Sequence, residues 1–257
     1  MPKGPARIMV IVAHPQDPFE RAGGTVAKHL ARGDEASMVS LTTGVVTHAF
    51  NIFPATGEDK LRDVEKVKAA KGREFEEAAR TLGLTHWRLF DFPESPMIFG
   101  LKEYIELVNV IREFRPTVVL CPHQTEFGRQ DHMDTGRYAI AAVDYARADG
   151  FPSPLAPHTV SDVFMFYYED FRSEQFMGVP RHSPEIAIDI TDVLDRKRAA
   201  MMIFEGTQRK AGEEYDKKMN AFFAGVDGGM GYMLGMGYVE RFSRLNPEKL
   251  KYLPLSD

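Results

Sequence analysis

At 257 residues, with 44% hydrophobic and 27% charged residues, the chain has ordinary globular composition and enough length for one large core. A formal charge of −5 argues against a surface built to coat nucleic acid. The single cysteine, Cys121, excludes an intramolecular disulfide and fits a reducing compartment. Its apolar neighbours Val118, Val119 and Leu120 mark it as a packing residue. No apolar stretch approaches the roughly 20 residues that span a bilayer, and Met1 to Arg7 lead into a strand-like run without a signal-peptide core. The expected location is therefore the cytoplasm, with no membrane or nucleic-acid partner.

Ile8 to Ala13 is a continuous apolar run, as expected of a parallel strand buried on both faces. Phe19 to Leu30 reads as a helix closed by Gly33, and Ala36 to Leu41 as a second strand leaving through Thr42-Thr43-Gly44. Residues 45 to 62, with Pro54 and Gly57, read as a long loop of the kind that often carries function. Val64 to Leu82 reads as a charged helix, Trp87 to Phe92 as a strand, and Tyr104 to Phe114 as a helix stopped before Pro116. Thr117 to Cys121 gives a fourth strand, Asp131 to Arg147 a helix, Val160 to Tyr168 a fifth strand and Glu185 to Ile190 a sixth. Thr191 to Lys210 reads as one long amphipathic helix. The Pro-rich stretch 152–157 reads as a surface loop rather than a linker, so the chain is expected to form one domain over 1–257. Strands alternating with helices predict an α/β fold, a three-layer Rossmann-like sandwich around a mainly parallel sheet. Ala221 to Gly237, rich in Gly, Met and Phe, is expected to form a lid or a subunit contact within the C-terminal part 211–257, which makes a homo-oligomer the expected assembly.

Ligands of open α/β sheets bind beyond the carboxyl ends of the strands, at the switch in strand order. That rule selects Ala13-His14-Pro15-Gln16-Asp17 after the first strand, and Pro122-His123 through Asp131-His132 after the fourth. His14 and Asp17, three residues apart on a tight turn, can reach one ion. His132 would complete the two-nitrogen, one-carboxylate set of an open zinc site, with a position left for water or substrate. Asp131 is placed to orient one of these ligands.

The succession Ala13-His14-Pro15-Gln16-Asp17, Ala22-Gly23-Gly24-Thr25 and Leu41-Thr42-Thr43-Gly44 resembles the N-terminal signature of the LmbE/PIG-L family of zinc-dependent N-deacetylases. Gly128-Arg129-Gln130-Asp131-His132, Asp189-Ile190-Thr191-Asp192 and Tyr238-Val239-Glu240-Arg241-Phe242 continue the resemblance in the expected order. It implies His14, Asp17 and His132 as ligands of Zn2+ or another divalent metal. Two positions depart from the pattern. The family's general base falls on Gln16, which cannot accept a proton at neutral pH. Its acid/base histidine falls on Arg129, a fixed cation suited to a carboxylate or a developing oxyanion. His48 and His123, both after strand ends, are the favoured substitutes for moving protons, with Glu126 and Asp134 as weaker ones. Glu20 and Arg21 read as surface charge at the start of the first helix.

The leading expectation is a metal-dependent hydrolase of an amide, N-acyl or related C–N bond in a small polar substrate. Arg21-Ala22-Gly23-Gly24 and the absence of an acid at Gln16 also resemble the 4-oxalomesaconate hydratase branch of the superfamily, although Val45-Val46 stand where an acid is expected after Gly44. The alternative is thus a metal-dependent hydratase of an unsaturated keto-dicarboxylate. A non-catalytic ligand-binding protein is the third possibility.

Overall fold

The structure is a computed structural model that describes residues 4–48, 57–125, 129–167, 186–207 and 212–246. The elements run β1 (Arg7–Val12), α1 (Asp17–Ala31), β2 (Glu35–Ser40), α2 (Val45–His48), α3 (Gly57–Leu82), β3 (His86–Leu89), α4 (Leu101–Phe114), β4 (Val118–Pro122), α5 (Gln130–Ala146), β5 (Asp162–Phe166) and β6 (Ile186–Asp189). There follow α6 (Leu194–Met202), α7 (Glu213–Phe222), a π-helical turn over Phe223–Gly228, α8 (Gly229–Met233) and β7 (Val239–Arg244). The strands form one seven-stranded sheet in the order β3-β2-β1-β4-β5-β7-β6. β1 to β5 are parallel, and β7 runs antiparallel to both of its neighbours.

The alternation of side chains along a strand decides the layers. Ile8, Val10 and Val12 of β1 pack with Phe19, Val26, Phe75, Ala79 and Met201, from α1, α3 and α6. Met9 and Ile11, pointing the other way, pack with Leu107, Ile111, Ala139 and Ala142, from α4 and α5. β1 is therefore apolar throughout because both of its faces are core. The three-layer sandwich and its mainly parallel sheet are as expected. Cys121 lies in the α4/α5 layer, and burial pushes its thiol up to about 12, which keeps it an inert packing group.

Several sequence expectations are corrected. The expected loop over 45–62 contains α2, and α3 begins at Gly57; residues 49–56 lie outside the described set. Gly57 reads as a breaker in the sequence, but a glycine is tolerated at a helix start, where the charged periodic run behind it carries the helix. α1 begins at Asp17 rather than Phe19, which puts the Asp17 carboxylate in the first helical turn, where the helix dipole favours negative charge. The single long helix over 191–210 is instead a 3-10 turn at Thr191–Val193, then α6, then a second 3-10 turn at Ile203–Thr207. The tightening before Gly206 lets the Thr207 hydroxyl donate to Glu74 of α3 at 2.5 Å. β7 is absent from the sequence expectations. It inserts between β5 and β6, so the last part of the sheet is built from the C-terminal region. Among the described residues no helix is long and apolar enough to cross a membrane.

Two devices seat α5 against the sheet. The buried guanidinium of Arg112 donates to the carbonyls of Ala146 (3.0 Å), Ala148 (2.7 Å) and Leu155 (2.7 Å), closing the C-terminal end of the helix. Near its start, Gly136 lies so close to the end of β4 that an added Cβ would sit 2.3 Å from the Pro122 carbonyl oxygen. Gly136→Ala is expected to cost about 1–3 kcal/mol by overpacking. It should lower the thermal midpoint by several degrees, and an unchanged midpoint would contradict this close seating.

Candidate metal centre

The strand order reverses direction at β1/β4, since β2 lies outside β1 on one side and β5 outside β4 on the other. The chain leaving β1 enters α1 on one face of the sheet, and the chain leaving β4 enters α5 on the other. The two helix starts therefore flank one crevice at the carboxyl edge. His14 lies in the turn between β1 and α1, which is closed by Asp17 N donating to His14 O at 3.2 Å. Asp17 returns the contact, its Oδ2 accepting His14 N at 2.8 Å. His132 sits in the first turn of α5. His14, Asp17 and His132 are all buried.

Their polar atoms converge. His14 Nδ1 lies 3.2 Å from Asp17 Oδ2 and 3.3 Å from His132 Nε2, and His132 Nε2 lies 3.6 Å from Asp17 Oδ2. An ion with ligand bonds of about 2.0–2.1 Å in tetrahedral geometry sets its ligand atoms about 3.3–3.4 Å apart. Two imidazole nitrogens and one carboxylate oxygen thus already outline one face of such a tetrahedron. Asp131 also lies near, and with His14 and His132 makes a cluster whose ligand atoms fall within 4.8 Å of one another. Its Oδ2, however, is 3.0 Å from His14 Nε2, the opposite edge of the ring. Asp131 is therefore placed to hold a proton on Nε2 and leave Nδ1 facing the other two groups. Its Oδ1 accepts His132 N at 2.9 Å, so one carboxylate orients both histidine segments.

The electrostatics follow from this packing. Burial opposes a charge on His14, but Asp17 and Asp131 outweigh it and raise the imidazole to about 10 in the metal-free chain. Burial likewise opposes ionisation of Asp131, and His14 overcomes it, holding that carboxyl down at about 2.

Two residues that sequence reasoning missed also face the cluster. Glu94, in the loop after β3, is buried; its Oε1 lies 3.7 Å from His14 Nε2, and its Oε2 accepts Val46 N at 3.0 Å. Lys71, buried on α3, has its ammonium lowered by burial, against the pull of Glu94, Glu74 and Asp17. Gly44, at φ +66°, passes between the His14 side chain and Lys71: a Cβ there would meet the His14 ring at 3.3 Å and Lys71 Nζ at 3.4 Å. The position of Glu94 after a strand was a usable signal. Nothing in a charged helix distinguished Lys71.

The other expected site residues are more scattered. Gln16 is the N-cap of α1, with its side chain beside the buried Tyr215 hydroxyl. Arg129 is the N-cap of α5 and half-buried. His123 is buried after β4, stacked on Tyr167 at 4.3 Å, and its Nδ1 accepts the Thr125 hydroxyl at 2.9 Å. Asp134 faces outward along α5, accepting Gln130 Nε2 at 2.9 Å, so its carboxylate serves the helix surface. Glu20 and Arg21 are half-buried rather than surface charge, and line a small cavity with Tyr167 and Arg241. The His48 side chain and Glu126 lie outside the described residues.

Residues 9–143 match the model of the PIG-L family, described as GlcNAc-PI de-N-acetylase. The chain belongs to the PIG-L family. Among PIG-L relatives, a diacetylchitobiose deacetylase of Thermococcus kodakarensis is 27% identical over 77% of this chain and 69% of its own length. A 4-oxalmesaconate hydratase of Pseudomonas putida is 28% identical over 78% of this chain and 73% of its own. In structure, the conserved protein TT1542 of Thermus thermophilus aligns over 98% of this chain and 99% of its own, with a TM-score of 0.74 and 25% identity. The relatives thus include both hydrolytic deacetylases and a hydratase.

In the metal-free protein the stabilising charge on His14 is complete below its ordinary value of 6.5, and is lost as pH rises through about 10. Imidazole NMR should find His14 still protonated at pH 8, and a neutral ring there would contradict the two-carboxylate environment.

Proposed function

We propose that this chain is a metal-dependent hydrolase of an N-acyl or related C–N bond in a small polar substrate, of the N-deacetylase type. The observation that carries the reading is the triangle of His14 Nδ1, Asp17 Oδ2 and His132 Nε2, with edges of 3.2, 3.3 and 3.6 Å. These three residues would hold a zinc-type divalent ion, which when bound polarises a carbonyl and makes water acidic enough to attack near neutral pH. The rest falls to the chain itself. Asp131 keeps the Nε2 proton on His14 and so directs Nδ1 inward. Gln16 can hydrogen-bond at the start of α1 but cannot take up a proton.

Glu94 lies on the same edge of the His14 ring as Asp131, its Oε1 3.7 Å from Nε2 and its other oxygen anchored by Val46 N, so we assign it, with Asp131, to holding the Nε2 proton and the orientation of His14. The buried Lys71 ammonium beside it offers positive charge to a developing oxyanion or to a substrate acid. Arg129, at the start of α5, can grip a substrate carboxylate in two-pronged fashion.

A second reading, hydration of an unsaturated keto-dicarboxylate, is favoured by Gln16, by Arg21-Ala22-Gly23-Gly24 and by the hydratase among the relatives. It would use the same ion and the same cations. Tyr232, Met233 and Leu234 of the C-terminal region are exposed, which supports a lid or a contact between copies of the chain there.

His132→Ala is expected to lose both the bound metal and turnover. Measuring metal content beside the release of acetate from N-acetylated amino sugars, and the hydration of unsaturated keto-dicarboxylates, checks this and separates the two readings. Full turnover by metal-free His132→Ala would overturn both. Glu94→Gln should weaken metal binding about 10-fold, as loss of a group that orients a ligand does, and unchanged metal affinity would remove Glu94 from the positioning of His14.

A further inference from the structure

The C-terminal region contributes a buried charged cluster that lies away from the metal centre yet grips the helix that begins it. Lys197 on α6 is fully buried, and its ammonium lies 2.6 Å from Asp227 Oδ2 and 2.9 Å from Glu240 Oε1. Asp227 belongs to the π-helical turn and Glu240 to β7, and both are buried. The second contact of Glu240 is unusual. Its two carboxylate oxygens accept backbone amides in the middle of α1, Gly24 N at 2.8 Å and Thr25 N at 2.7 Å. Side chains rarely reach the amides of a helix interior, because those amides face along the helix toward carbonyls one turn back.

Two glycines make the approach possible. A Cβ at Gly24 would lie 2.7 Å from the Ile190 side chain, and one at Gly23 would lie 3.3 Å from Lys197 Cγ. The Gly23-Gly24-Thr25 stretch therefore lets α6 and the end of β6 press against α1, while Glu240 takes hold of its backbone. A buried ionic cluster of this kind is a weak source of stability, since well-packed apolar residues serve as well or better. Its attested use is to fix one register among several.

We propose that Glu240 is a positioning residue for the metal centre. By clamping the Gly24 and Thr25 amides, and being clamped in turn by Lys197 and Asp227, it sets where α1 lies along its own axis. Asp17 opens α1 seven residues before Gly24, about 10 Å along the helix, and His14 is tied to Asp17 by reciprocal hydrogen bonds. Hydrophobic packing alone leaves a helix free to slide by a fraction of an ångström. The ligand triangle, whose edges must stay near 3.3 Å to grip one ion, does not tolerate that slide. The clamp supplies a directional restraint where the core supplies only adhesion. The inference rests on reading His14, Asp17 and His132 as the metal ligands.

The test uses the full chain, stripped of metal with a chelator and titrated with Co2+, reading the visible d–d absorption beside thermal unfolding. Glu240→Gln keeps the size of the side chain but replaces one acceptor oxygen with an NH2 group that cannot accept an amide proton. It is expected to weaken Co2+ binding about 10–100-fold, as loss of groups that orient ligands does, and to change the band pattern that reports ligand geometry. Val163→Ala, in the core on the opposite face of the sheet, should lower the thermal midpoint without moving either Co2+ readout. Should Glu240→Gln fail to fold, Lys197→Met/Asp227→Asn/Glu240→Gln removes the charged cluster as a unit and is expected to give the same loss of affinity. Wild-type affinity and spectrum in whichever of these variants folds would overturn the positioning role while leaving the metal site intact. Failure of the wild-type chain to take up Co2+ at all would overturn the metal reading and this inference with it.

Discussion

The organising constraint is the reversal of strand order between β1 and β4. Adjacent parallel strands whose chains depart to opposite faces must leave a cleft between their exits. Two helix starts, those of α1 and α5, border the cleft. Placing a histidine in one exit and another in the first turn of the other helix brings residues 118 positions apart to within 3.3 Å. Neither segment can do this alone, and the sheet holds both.

Charge balance in the cleft explains why so many carboxylates gather there. His14 stands between Asp17 on one ring edge and Asp131 on the other, with Glu94 close by and the buried ammonium of Lys71 beside it. Among these described groups the acids exceed the cations, an unfavourable arrangement in a buried crevice unless something positive completes it. A proton on His14 is one way to complete it, and a divalent cation is another. The two helix starts add further positive potential to the cleft.

The departures from the family pattern lie at the two helix starts themselves. Gln16 precedes α1 and Arg129 precedes α5, and neither side chain can take up a proton near neutral pH. The convergence of His14, Asp17 and His132 is kept all the same. The loop after β3, with Glu94, supplies a carboxylate from a third strand end. Such a division is natural for this architecture, because each strand exit can contribute to the cleft independently of the others.

The sequence alone determined the layered α/β fold, because a run such as Ile8 to Val12 is apolar at every position only when both faces of its strand are covered. It also determined the two histidine-bearing turns and their likeness to a known family, since those motifs are local and contiguous. Tertiary structure decided the rest. Which carboxylate completes the triangle depends on ring edges, and Asp131, adjacent to His132 in sequence, turns to the far side of His14. Lys71 and Glu94 reach the site by packing across elements, and no local pattern sets them apart from solvated charges. β7 was invisible for the same reason. Its pairing partners, β5 and β6, lie far back in the chain, and the clamp that Glu240 closes on α1 exists only once that long-range pairing has formed.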